Sequence, residues 1–129
     1  MLKRRVPICA MDSVLAQVRN QPIVINDIMP KDLKARLDAG EALQIIDVRE
    51  YWEVNLGTIE GAIHIPMNDI PYSLDEIPDD KPVIFMCHTG VRSAQVTEWV
   101  KRQGRENVLN LVGGIERWSR EIDPSIPRY

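Results

Sequence analysis

The sequence predicts an α/β domain in which a parallel sheet is covered by helices on both faces. Two observations carry this prediction. Short apolar segments rich in β-branched residues alternate along the chain with stripes at helical spacing. Parallel strands also need crossover connections, and the intervening helices supply them. A third observation locates the chemistry: the run Cys87-His88-Thr89-Gly90-Val91-Arg92-Ser93 joins a buried strand directly to an amphipathic helix.

The elements follow in order. Residues 1–21 read as an N-terminal extension, in which Met11, Val14, Leu15 and Val18 make only a short amphipathic stripe. The domain proper is expected over residues 22–123, and residues 124–129 form a C-terminal tail in which Pro124 and Pro127 end regular structure. Ile23-Val24-Ile25 is the first expected strand. Pro30 in a first helical turn, Leu33 and Leu37 four apart, and Gly40 as a stop define a helix. Gln44 to Val48 is a second strand, followed by a short helical piece over Glu50 to Val54 and a turn at Gly57. Ala62 to Ile65 is a third strand, closed by Pro66. Pro71 interrupts the stretch Met67–Ile77, which is assigned only partial helix. Pro82 to Met86 is a fourth strand. The helix after it carries Val96, Trp99 and Val100 on one face and stops at Gly104. Val108 to Leu111 is a fifth strand, and the stripe Ile115, Trp118, Ile122 after Gly113-Gly114 marks a last helix.

Composition narrows the function. The 129 residues suit one domain, and 44% hydrophobic with 27% charged residues is ordinary for a globular chain. A formal charge of −3 gives no electrostatic reason to expect a nucleic-acid partner. No stretch reaches membrane-spanning length, so no membrane role is expected. The two cysteines, Cys9 and Cys87, form no C-x-x-C or zinc-ligand pattern, which favours a thiol used for chemistry over a disulfide scaffold. The compartment expected is the cytoplasm, and Cys9 reads as a bystander.

Cys87 sits where a strand ends and a helix begins, and three features there favour an ionised sulfur. The first-turn N–H groups of the helix point into the loop. Gly90 permits a positive φ, so successive amides can converge on one point. Arg92 adds a permanent positive charge suited to an oxyanion. The ionised sulfur is the nucleophile. Because ligands bind beyond the carboxyl ends of strands in such sheets, Cys87 and Asp47 both fall at the expected site.

These residues, taken with Asp47-Val48-Arg49-Glu50, the segment Gly57 to Pro66, and Leu111-Val112-Gly113-Gly114 with Trp118, make the chain resemble single-domain rhodanese-like sulfurtransferases from about Ile25 to Trp118. The resemblance implies a five-stranded parallel sheet with helices on both faces. It also implies that Cys87 carries sulfur as a persulfide, taken from a small anionic donor such as thiosulfate or from another persulfide. The loop residues His88, Thr89, Gly90, Val91 and Arg92 would bind the donor, with Asp47 and Arg49 as a supporting ion pair or loop brace. A thiol or thioredoxin-like protein is the expected acceptor, and no metal or organic cofactor is expected.

Two positions depart from the family pattern. His88 stands where thiosulfate-using loops often carry arginine, and histidine is not a permanent cation. Thr58 stands where related sequences often have histidine. The competing readings are a cysteine-dependent phosphatase or arsenate reductase and a non-enzymatic rhodanese-like regulatory module. Phosphatase loops follow C-x5-R, whereas Cys87 to Arg92 is C-x4-R, a tighter ring better matched to one sulfur than to a tetrahedral phosphate.

Overall fold

The structure, a computed structural model, describes residues 26–129. The expected strand Ile23-Val24-Ile25 and the N-terminal extension lie outside the described residues. Five parallel strands form one sheet: β1 (Asp27–Ile28), β2 (Gln44–Asp47), β3 (Ile63–His64), β4 (Val83–Met86) and β5 (Val108–Leu111), in the spatial order β1-β5-β4-β2-β3. Four helices connect or follow them: α1 (Pro30–Asp38), α2 (Tyr51–Val54), α3 (Val91–Arg102) and α4 (Gly114–Glu121). The stretch interrupted by Pro71 folds as two 3-10 segments, Met67–Tyr72 and Leu74–Glu76. Proline there removes a donor that a regular α-helix would use.

Strand periodicity explains the two cores. Along β4, Val83 and Phe85 point to one face and Ile84 and Met86 to the other. The first pair packs with Ile46, Ile70, Val96, Trp99 and Val100, under α3. The second packs with Leu33, Ile45, Leu111, Ile115 and Trp118, under α1 and α4. Helices therefore cover both faces, and Trp99 and Trp118 are core residues, one on each side. Cys87 follows the parity of Val83 and Phe85 and lies on the α3 side.

Register brings the site together. Asp47 is level with Met86 on one side and with His64 on the other, and Ile28 is level with Leu111. All five strands thus end at one edge of the sheet, the edge at which Cys87 leaves β4. Among the described residues no helix is long and apolar enough to cross a membrane.

Candidate active site

The loop is shaped by two glycines. Gly90 has φ +97° and caps α3; a Cβ there would lie 3.0 Å from the Gly113 nitrogen. A Cβ on Gly114 would fall 2.5 Å from the carbonyl oxygens of Cys87 and His88. This close approach lets the first turn of α4 hold the start of the loop: the Ile115 N–H donates to the Cys87 carbonyl at 2.9 Å and the Glu116 N–H to the His88 carbonyl at 3.0 Å. Gly113-Gly114 thus shapes a helix start beside the loop, as the sequence suggests.

The cysteine sulfur takes the place of a helix cap. Sγ of Cys87 accepts the backbone N–H of Gly90 at 3.1 Å and that of Ser93 at 3.3 Å, and the Ser93 hydroxyl lies 3.2 Å away. Two amides at the opening of α3, otherwise unsatisfied, converge on one sulfur. The Ser93 hydroxyl also lies 2.5 Å from Oδ1 of Asn110, whose amide donates to Asp27 at 3.3 Å. Its single proton can go to only one acceptor at a time. A neutral thiol can donate to Ser93 while Ser93 donates to Asn110; an ionised sulfur instead receives the hydroxyl proton. The sulfur is buried, at 1% exposure.

The remaining loop residues divide. Thr89 and Val91 are exposed on the outer side of the loop. The His88 ring is stacked on Tyr129, with centroids 4.0 Å apart and planes 10° apart, and its Nε2 faces Glu116 Oε2 at 3.7 Å. Arg92 is not a free cation aimed at the sulfur. Both of its terminal nitrogens donate to the Glu53 carboxylate at 2.8 Å, although it remains close enough to Cys87 for the two to interact electrostatically.

Glu53 is itself buried, at 3% exposure, and its carboxylate accepts four hydrogen bonds from three partners. Paired bonds from Arg92 hold its carboxyl well below the usual carboxylate range, at about 2, against the opposing effect of burial; the Glu50 backbone N–H and the Tyr129 hydroxyl help. A carboxyl whose native value lies below its unfolded one stabilises the fold fully above about pH 4.5, and that contribution is lost as pH falls toward about 2. Glu53→Gln is therefore expected to lower stability at pH 7 and to flatten the acid-side loss between these values, as measured by urea unfolding at several pH values. An acid limb as steep as that of the wild type would contradict this.

Asp47 and Arg49 form the expected brace. The Arg49 guanidinium, fully buried, donates to Asp47 from Nε at 2.9 Å and from Nη2 at 2.7 Å. The Thr58 hydroxyl donates to Asp47 Oδ2 at 3.0 Å, so Thr58 joins the brace. Arg49 also donates to the carbonyls of Glu53 and Gly57 and to the Tyr129 hydroxyl. His64 donates from Nε2 to the Arg49 carbonyl at 2.6 Å, which makes it a structural residue. The brace touches the loop through Glu53 and Tyr129.

Fold and site together define a class: α/β domains that present a cysteine, held by amides of a helix start, at the carboxyl edge of a parallel sheet. The rhodanese-like domain family matches residues 29–121, and the chain belongs to it. It is 40% identical over 100 residues to the YtwF protein of Bacillus subtilis, covering 78% of this chain and 96% of that one. It is 38% identical over 103 residues to a sulfurtransferase of Allochromatium vinosum, with 80% and 96% covered. A rhodanese-like domain protein from Staphylococcus aureus superposes with a TM-score of 0.71 at 31% identity, covering 81% of this chain and 99% of that one.

Proposed function

We propose that the protein is a sulfurtransferase that carries sulfane sulfur as a persulfide on Cys87. The observation that carries this reading is the convergence of two backbone N–H groups and one hydroxyl on the Cys87 sulfur. The name of the Allochromatium vinosum relative supports the same activity class.

In the first step the ionised Cys87 sulfur attacks the outer sulfur of the donor. A new S–S bond forms, the donor's S–S bond breaks, and its electron pair leaves with sulfite when the donor is thiosulfate. The negative charge now rests on the outer sulfur of the persulfide, and amides of the surrounding loop would stabilise it there. In the second step an acceptor thiolate attacks that outer sulfur, and the pair of the breaking S–S bond returns to Cys87. Sulfur alone carries the chemistry, so no cofactor enters.

The geometry favours this reading over phosphate chemistry on two counts. Arg92 gives one N–H from each terminal nitrogen to Glu53, and the carboxylate offsets its charge, which leaves it weaker attraction for a phosphate dianion. A phosphatase also benefits from an acid for its leaving group, and the Asp47 carboxylate is locked beneath Arg49 and Thr58. The same engagement of Arg92, together with His88 in place of arginine, favours persulfide donors over the dianion thiosulfate.

Transfer rates to a small thiol, compared across thiosulfate, polysulfide and a low-molecular-weight persulfide, test the reading. The expected order places thiosulfate last. Turnover of an aryl phosphate with no transfer from any sulfane donor would overturn it.

A further inference from the structure

The tail after α4 is fastened to the domain. Ile126 is buried in the core beneath α1 and α4, and its carbonyl accepts the Ser119 hydroxyl at 2.6 Å. This anchorage delivers Tyr129 to the carboxyl edge of the sheet, 42 positions along the chain from Cys87. Its ring lies flat on His88. Its hydroxyl donates to Glu53 at 2.8 Å and accepts from Arg49 at 3.0 Å, and Trp52 meets the ring edge-on with centroids 5.8 Å apart. The side chain thus bridges the cysteine loop and α2, beside the Arg92–Glu53 pair.

A residue held at both ends between the cysteine loop and α2 fixes how far apart those two elements stand beside Cys87. Stacking contributes an aromatic contact on the loop side, and the two hydroxyl bonds, one to a carboxylate and one from a guanidinium, fix the other side. The Tyr129 hydroxyl is held above its ordinary range by burial, so it stays protonated and able to donate to Glu53 at neutral pH. We propose that Tyr129 is a specificity-determining residue, an aromatic side wall that admits slim sulfur compounds to Cys87 and excludes bulky ones. The inference rests on the reading of Cys87 as the reactive sulfur. It places the selection of partners by size in the C-terminal tail.

The experiment compares rates of Cys87 modification by iodoacetamide and by a bulky pyrene maleimide in the full chain. The modified residue is located by peptide mass, so that Cys9 is scored separately. For Tyr129→Ala the ratio of bulky to small reagent rates is expected to rise by about tenfold or more, the scale of discrimination by pocket size. Tyr129→Phe keeps the stacked ring and loses both hydroxyl bonds, and its ratio is expected to fall between the two. Local unfolding would instead bring the ratio up to that of the urea-unfolded chain, so a Tyr129→Ala ratio equal to the unfolded value, or a variant that thermal melts show unfolded at the assay temperature, would also overturn the proposal. An unchanged ratio, whether both rates rise or neither does, would overturn the proposal while leaving Cys87 as the nucleophile. A Cys87 inert to iodoacetamide in every variant would overturn both.

Discussion

Replacing Cys87 with serine is expected to reduce sulfur transfer by at least about three orders of magnitude, the scale seen when an enzyme loses its nucleophile. A hydroxyl at this position would still accept the N–H groups of Gly90 and Ser93, so the caps of α3 remain satisfied. It cannot hold a sulfane sulfur at neutral pH, because an alcohol is far less acidic and less nucleophilic than a thiol. The loss should come without unfolding. The site is small and its polar partners persist, so stability should change by no more than about 1 kcal/mol. Transfer assays and thermal melts on the same preparation separate the two effects. Transfer surviving the substitution would mean that another group carries the sulfur; loss of the folded state would mean that the sulfur is chiefly a packing element.

The second large effect concerns the brace. Asp47→Ala leaves the Arg49 guanidinium, 0% exposed, without its counter-ion at the end of β2. Breaking a buried pair by removing one partner costs about 3–5 kcal/mol, because the remaining charge is stranded away from water. For a domain whose total stability is of order 5–15 kcal/mol this is a large share. Replacing both residues with apolar ones should not restore stability. Arg49 also satisfies the carbonyls of Glu53 and Gly57 and the Tyr129 hydroxyl, and those groups would then lose a donor. Urea unfolding at pH 7 measures both variants. A loss below about 1 kcal/mol for Asp47→Ala would show that solvent or backbone relaxation replaces the brace.

What could be read from the sequence followed from locality. The alternation of elements, the helix stripes and the strand-to-helix joint at Cys87 are neighbour-to-neighbour patterns, and they place four of the five strands and all four helices. Gly90 lies three positions after Cys87, so the convergence of its amide on the sulfur could be read directly. Asp47 and Arg49 are two apart and could be read as a pair. The strand at Asp27–Ile28 is defined by pairing with Asn110 and Leu111, a contact no local pattern announces. The same holds for the side chains that surround the loop. Glu53 looks like a surface residue of a four-residue helix, and its partner lies 39 positions away. Tyr129 follows two prolines in an apparent tail and reaches Glu53 across 76 positions. These two explain why Arg92, expected as a cation open to the donor, is engaged by a carboxylate. Ser93 carried a readable signal: it occupies the first turn of the helix facing the cysteine, where side-chain hydroxyls and backbone amides point toward the same spot.

The central claim is that Cys87 accepts sulfane sulfur, and intact-mass measurement after incubation with a polysulfide or a persulfide donor tests it most directly. The account predicts a mass increase of one sulfur atom, located on Cys87, removed by a thiol acceptor and absent in Cys87→Ser. A chain that gains no sulfur on Cys87 from any donor, or gains it elsewhere and transfers it equally well without Cys87, would contradict the account.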